Sequence, residues 1–374
     1  MTDLSKNAPD ISAGDELLRI ENLSMHFGGL RAVDNISFSI KRGEVFGLVG
    51  ESGCGKTTTG RAVIKLYNIT GGNIYFKGKR ISAGTLAYKE KIAEAKEKFR
   101  AELSELKKCG EKEKIAERRR ALASLIAEQK RLMSEARYDS THVDTNLITQ
   151  IQMIFQDPIA SLDPRMTVKE IVSEGLVIKG IKDKGVIDSE VYRTLELVGL
   201  EREHAGRYPH EFSGGQRQRI GVARSVIMKP ELIIADEPVS ALDVSIQAQV
   251  INLLQELKNE LSLTVLFIAH DLSVVKYFSD RIGVMYLGKL VELADADKLF
   301  EHPLHPYTRS LLSAIPLPDP EYEKRRKRIT YNPQRDHDYS QGEPSFREIE
   351  GGHFVLCNDA EEAKYKAHLS GGEG

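Results

Sequence analysis

The chain has no tryptophan and only three cysteines in 374 residues, Cys54, Cys109 and Cys357. They are far apart and form no paired spacing, which excludes a disulfide framework and a metal site built on cysteines. Charge of one sign is also missing. At a net charge of −2 there is no global drive toward nucleic acid, and only a local basic patch stays open. No run approaches the about 18 consecutive apolar residues needed to cross a bilayer. The first eighteen residues are polar and mixed, without the apolar core of a signal peptide. These absences predict a protein that starts and stays in the cytoplasm unless another subunit docks it to a membrane. With 41% hydrophobic and 29% charged residues the composition suits a soluble globular chain. Its length allows one large domain or roughly two to three ordinary ones.

What is present is organised around one loop, Gly50-Glu51-Ser52-Gly53-Cys54-Gly55-Lys56-Thr57, with Thr58 following. It fits the G-x-x-x-x-G-K-[ST] phosphate-binding pattern in full. Val45 to Val49 before it reads as a short strand buried on both faces, and Thr57 to Leu66 after it as a helix. Glycines let successive N–H groups turn inward around an anion, and the helix N-terminus adds partial positive charge. Lys56 is then placed to reach the β- and γ-phosphates, and the Thr57 hydroxyl to ligate Mg²⁺. Cys54, inside the loop, reads as a small filler, although alkylation there would block nucleotide.

Two carboxylates follow a second apolar run, Leu232-Ile233-Ile234-Ala235-Asp236-Glu237. The C-terminal end of a parallel strand is where ligands bind, so Asp236 is placed to hold Mg²⁺ through water and Glu237 to take a proton from an attacking water. The plain alternative is a helix-capping Asp beside an exposed Glu. Gln156 leaves a strand at 151–155. Phe212-Ser213-Gly214-Gly215-Gln216 is a glycine turn opening a helix, a second anion-binding N-terminus. His270 ends a strand at 263–269. Phe27, at the tip of a hairpin turning at Gly28-Gly29, is either an adenine-stacking ring or a core residue. From Thr85 to Arg137 the chain is dense in Lys, Glu, Arg and Ala and reads as an antiparallel helical hairpin, with a helix stop at Gly110. Each arm is expected to be roughly 35 Å long. Thr167 to His204 is read as helical and Arg281 to Glu292 as a β-pair. The last fifty residues are read as a small, loosely structured appendage beyond a proline-rich stretch and a charged link, 323–328.

The order of phosphate loop, Gln156, Ser213–Gln216, Asp236-Glu237, Ser240–Asp243 and His270 resembles the ATPase subunit of ABC transporters over 17–295. Pro306 to Pro316 is similar to the segment after the core in oligopeptide/dipeptide permease ATP-binding subunits. The resemblance implies an α/β P-loop ABC-type ATPase core with a helical subdomain (160–228), the inserted hairpin and a C-terminal extension (296–374). It implies ATP and Mg²⁺ as cofactors, with the metal at Thr57, Gln156 and Asp236. Phe27 then matches the adenine-stacking aromatic, Gln156 the loop glutamine that contacts Mg²⁺ and water, and His270 the switch histidine. Ser213, Gly214 and Gly215 match the signature that touches ATP on the opposite subunit. Asp243 matches the loop that crosses the dimer interface. The partners implied are a second, different ATPase subunit, two transmembrane permease subunits and a peptide-binding protein, with the chain held peripherally on the cytoplasmic face. Nucleic acid is not expected as a partner. Many relatives carry an iron–sulfur cluster in the extension. None is expected here, because Cys357 is the only cysteine there. Alternatives are a nickel or small-solute importer and, further off, a soluble ABC ATPase acting on ribosomes or DNA.

Overall fold

The computed structural model describes residues 16–109, 111–315 and 328–370. The expected helix stop at Gly110, the prolines Pro316, Pro318 and Pro320 and the charged link up to residue 327 lie outside them.

Three segments are apolar almost throughout and buried at every residue: β3 (Val45–Val49), β7 (Leu232–Asp236) and β8 (Thr264–Ala269). Runs of this kind are stable where helices cover both faces of a parallel sheet. They pair in parallel, β3 with β8 and β8 with β7, and β6 (Ile151–Ile154) continues beside β7. The register matches Val49 with Ala269, Asp236 with Ile268, and Ile154 with Ala235. Four strand ends therefore meet at one edge, the one from which the loop, Gln156, Glu237 and His270 emerge. Beyond β3 the sheet continues through the parallel β9 (Arg281–Tyr286) to the antiparallel β10 (Lys289–Asp295).

A second, antiparallel sheet is ordered β2-β1-β4-β5, from β1 (Glu16–Phe27), β2 (Leu30–Lys41), β4 (Gly71–Phe76) and β5 (Lys79–Ala83). Its Leu18, Ile20, Phe38 and Phe76 share one core with Leu48, Leu266, and Ala62 and Val63 of the helix Lys56–Val63. That helix is thus buried between the two sheets. The opposite face of the main sheet is covered by helices Val168–Ile178, Lys184–Leu197, Gly214–Val226 and Val244–Leu261. The stretch read as helical from Thr167 to His204 is divided. Thr167 and Glu170 form a capping box for its first helix, and Asp183 caps the second by accepting from the Gly185 and Val186 N–H groups.

The tail differs from the loose appendage expected. β11 (Ser345–Glu350) and β12 (His353–Cys357) extend the main sheet, with β12 paired to β10, and the helix Asp359–Ser370 packs beside them. Leu304, Ile349, Val355, Cys357 and Tyr365 form its small core. No helix among the described residues is long and apolar enough to cross a membrane.

The insertion is the expected hairpin, Leu86–Lys108 and Lys112–Thr141. At about 1.5 Å per residue its arms measure about 35 and 45 Å, so the second is longer than expected. The first buries no residue and the second only Gln129 and Ala136. Its base is stitched to β5: Arg80 pairs with Asp139, and the Ser140 hydroxyl accepts from the Ala83 N–H at 2.8 Å. Replacing residues 90–131 with a short Gly/Ser linker is therefore expected to leave cooperative unfolding and ATP binding intact. Carrying the deletion through Ser140 strips β5 of these partners and should cost about 1–3 kcal/mol. Denaturant unfolding of the two deletions checks this, and equal loss in both would show that the arms pack on the core.

Candidate functional site

The phosphate loop leaves β3 at Gly50, where φ is 148° and an added Cβ would lie 2.2 Å from the Met285 carbonyl oxygen. Gly55, with φ of 107°, would bring a Cβ within 2.4 Å of the Ala32 carbonyl oxygen. Only glycine fits either place. Between them Glu51, Ser52 and Gly53 are exposed, whereas Cys54 and Lys56 are buried. The Lys56 ammonium donates to the carbonyls of Gly50 (2.7 Å) and Glu51 (2.9 Å). No side chain caps the helix that starts at Lys56, so the N–H groups of its first turn, with Thr57 and Thr58, are open to an anion. The Cys54 thiol packs under the loop, where burial pushes its pKa up. It fills space in the loop, with 3% of its surface exposed.

Asp236 is fully buried at the end of β7. Its Oδ1 accepts the Thr57 hydroxyl at 2.7 Å, while Oδ2 has no hydrogen-bond partner among the described residues. Burial raises the Asp236 pKa, and the Thr57 hydroxyl opposes the rise. A buried carboxylate oxygen with a free lone pair, beside a hydroxyl, is the donor set that a hard cation or its water would complete. Thr57 and Asp236 therefore fit Mg²⁺.

Glu237 has a left-handed backbone, with φ of 45°, and donates its N–H to the Ile268 carbonyl at 2.9 Å. Such a conformation is sparsely populated for a non-glycine residue. Here it accompanies a carboxylate whose Oε2 accepts the Gln156 amide at 2.9 Å and lies 3.3 Å from His270 Nδ1. Gln156, Glu237 and His270, from three neighbouring strand ends, thus form one cluster. The alternative of a helix-capping Asp beside an exposed Glu is not what the fold gives: Asp236 accepts only the Thr57 hydroxyl among the described residues, and the Glu237 side chain is only 12% exposed.

The remaining residues lie at the margins. Phe27 is 46% exposed and meets Tyr67 edge-on at 5.5 Å, leaving ring surface for a base. Ser213 and Gln216 form a reciprocal capping box: the Ser213 N–H donates to Gln216 Oε1 (3.0 Å) and the Gln216 N–H to Ser213 Oγ (3.3 Å). That fixes the turn and leaves Gly214 and Gly215 at the first helical positions, next to Leu242 and Ile246. Asp243 is exposed at the start of the helix Val244–Leu261, without a side-chain capping bond. The signature turn is thus packed on the Asp243 loop.

Residues 33–140 and 120–240 match the ABC transporter family, and 291–345 match the oligopeptide/dipeptide transporter C-terminal region. The chain belongs to the ABC transporter family, as an ATP-binding, ATP-hydrolysing subunit. It is 51% identical over 353 residues to the oligopeptide transport ATP-binding protein OppF of Bacillus subtilis, covering 93% of this chain and 98% of that one. Identity to the dipeptide transport ATP-binding protein DppF of Lactococcus lactis is 46% over 363 residues, covering 95% and 98%. A dimeric ATP-binding cassette, MJ0796, in a post-hydrolysis state with ADP and Pi, has the same fold. Its TM-score is 0.53 at 22% identity, over 75% of this chain and 99% of that one.

One contact of this ABC subunit was not read from the sequence. The Tyr307 hydroxyl accepts the Glu51 N–H of the phosphate loop at 3.1 Å, across 256 positions. The only signal was the tyrosine of His305-Pro306-Tyr307, which looked like part of a tail.

With Glu237 as the expected general base, Glu237→Gln is expected to keep ATP affinity and lower turnover by ~10²–10⁴. Turnover should be assayed with a second ATPase subunit present. A wild-type rate in that assay would remove Glu237 from the chemistry.

Proposed function

We propose that this chain is one half of the paired ATPase of a peptide importer, using MgATP to drive oligopeptide or dipeptide uptake through membrane subunits supplied by other chains. The carrying observation is that one chain holds both the Gln156–Glu237–His270 cluster beside a phosphate loop and an oligopeptide/dipeptide-type C-terminal region. In this reading the loop amides and Lys56 hold the β- and γ-phosphates, and Phe27 stacks on the adenine. Gln156 and His270 fix Glu237 so that it takes the proton of the attacking water. Mg²⁺, held by Thr57, Asp236 and Gln156, would supply neutralising charge at the phosphates. The chain reaches the cytoplasmic face of the membrane by docking on permease subunits. A peptide-binding protein on the far side delivers substrate.

ATP-dependent uptake of a labelled oligopeptide by vesicles holding the reconstituted complex tests this. The expected result is uptake that stops when Glu237→Gln replaces the wild-type subunit. Uptake of nickel or another small solute with no peptide transport would overturn the assignment.

The pairing follows from a mismatch of sites. The loop already surrounds the phosphates of one ATP, so Ser213, Gly214 and Gly215 serve a second nucleotide, on a facing and related ATPase subunit. A Cβ at Gly214 would make ordinary contact with Leu242, at 3.5 Å, so Gly214→Asp should fold. Its carboxylate would repel the facing γ-phosphate. ATP affinity of the lone chain should stay within about twofold, while ATP-driven pairing measured by light scattering falls at least about tenfold. Loss of ATP binding by the lone mutant chain would place the signature in its own site.

A further inference from the structure

The Gly50–Glu51 peptide is held at both ends. Its carbonyl accepts the Lys56 ammonium at 2.7 Å, and its N–H donates to the Tyr307 hydroxyl at 3.1 Å. A peptide unit is planar, so turning one end turns the other. Hydrogen bonds in series also polarise one another, so an acceptor at the N–H makes the carbonyl a better partner for the ammonium. We propose that Tyr307 is a positioning residue for ATP binding: through the Gly50–Glu51 peptide it sets the place of the lysine that reaches the β- and γ-phosphates, and so makes nucleotide affinity depend on docking of the C-terminal extension. This rests on the loop being the ATP site.

The extension is built to hold that phenol still. Tyr307 is 2% exposed, with its ring 4.4 Å from Tyr286 and 5.4 Å from Tyr331. It is the second residue of the helix Pro306–Ser313, capped by His305, whose Nδ1 accepts the Tyr307 N–H at 3.1 Å. Burial lowers the His305 pKa to about 3, which leaves Nδ1 an acceptor near neutral pH. The preceding turn is clamped by Glu292 of β10, fully buried, which accepts the N–H groups of Leu304 (2.8 Å) and His305 (3.0 Å). Glu292 also binds His353 Nε2 at 2.7 Å, tying in β12. A continuous set of hydrogen bonds thus runs from β12 through Glu292 and the 304–307 turn to Lys56.

Tyr307→Phe removes the hydroxyl and keeps the ring. Calorimetric binding of ATP and of AMP, which lacks the phosphates Lys56 reaches, is then compared in the intact chain. The expected result is ATP affinity about five- to tenfold weaker with AMP affinity within about twofold of wild type, the size of one buried hydrogen bond. Equal weakening for both ligands, or none for ATP, overturns the proposal. Hydrogen exchange on the wild-type chain tests it without a variant: ATP should slow exchange in residues 304–313 as well as in the loop, by reciprocity of coupling. Unchanged exchange in 304–313 overturns it. Lys56→Ala separates the two readings. If that variant binds ATP with wild-type affinity, the loop is not the ATP site and both readings fall. If it loses ATP while Tyr307→Phe loses nothing, only the positioning role falls.

Discussion

Parallel pairing of β3, β8, β7 and β6 is the constraint on which the rest depends. Because side chains alternate across a strand, a one-residue slip would turn every residue to the opposite face. The register Asp236 with Ile268 and Val49 with Ala269 is what brings Thr57 to Asp236 although β8 lies between their strands. It also sets Gln156, Glu237 and His270 within reach of each other. The apolar runs that fix this register are buried on both faces, so core and site are specified by the same residues.

Two features of the edge are held against local preference. Glu237 keeps a left-handed backbone, a conformation costing about 1–3 kcal/mol for a non-glycine residue. Asp236 keeps a buried oxygen without a hydrogen-bond partner among the described residues, a further destabilisation of about the same size. The two large apolar clusters that sandwich the sheet supply the stability to hold both. Departures of this kind at a strand edge are where function is expected to override local fit.

The parts of the fold legible in the sequence were those written in a single period or motif. β3 with its loop, the apolar β7 and β8, and the Lys/Glu-rich hairpin each carry a local signal that no distant contact reverses. The tail carried little beyond the short apolar run of β12. β12 and its surroundings bury His353, Asn358, His337 and Glu361, which bond to one another and to Glu292, although His337 Nε2 has no partner among the described residues. Polar residues that are buried because they find partners look like surface until the partners are known. For the same reason the residues that meet at the strand ends are ones a motif names, whereas Tyr307, which bonds to the loop from far along the chain, is not.

On this reading, the register of the parallel strands sets Thr57 and Asp236, together with Gln156, at one cation beside the ATP phosphates. Mn²⁺ substituted for Mg²⁺ gives a direct readout, by paramagnetic resonance on the ATP-loaded chain, for wild type and Asp236→Asn. The account predicts Mn²⁺ affinity reduced by about tenfold or more in the variant, the size of a lost charged ligand contact, with ATP affinity in EDTA unchanged. Equal Mn²⁺ affinity in the two proteins would contradict it.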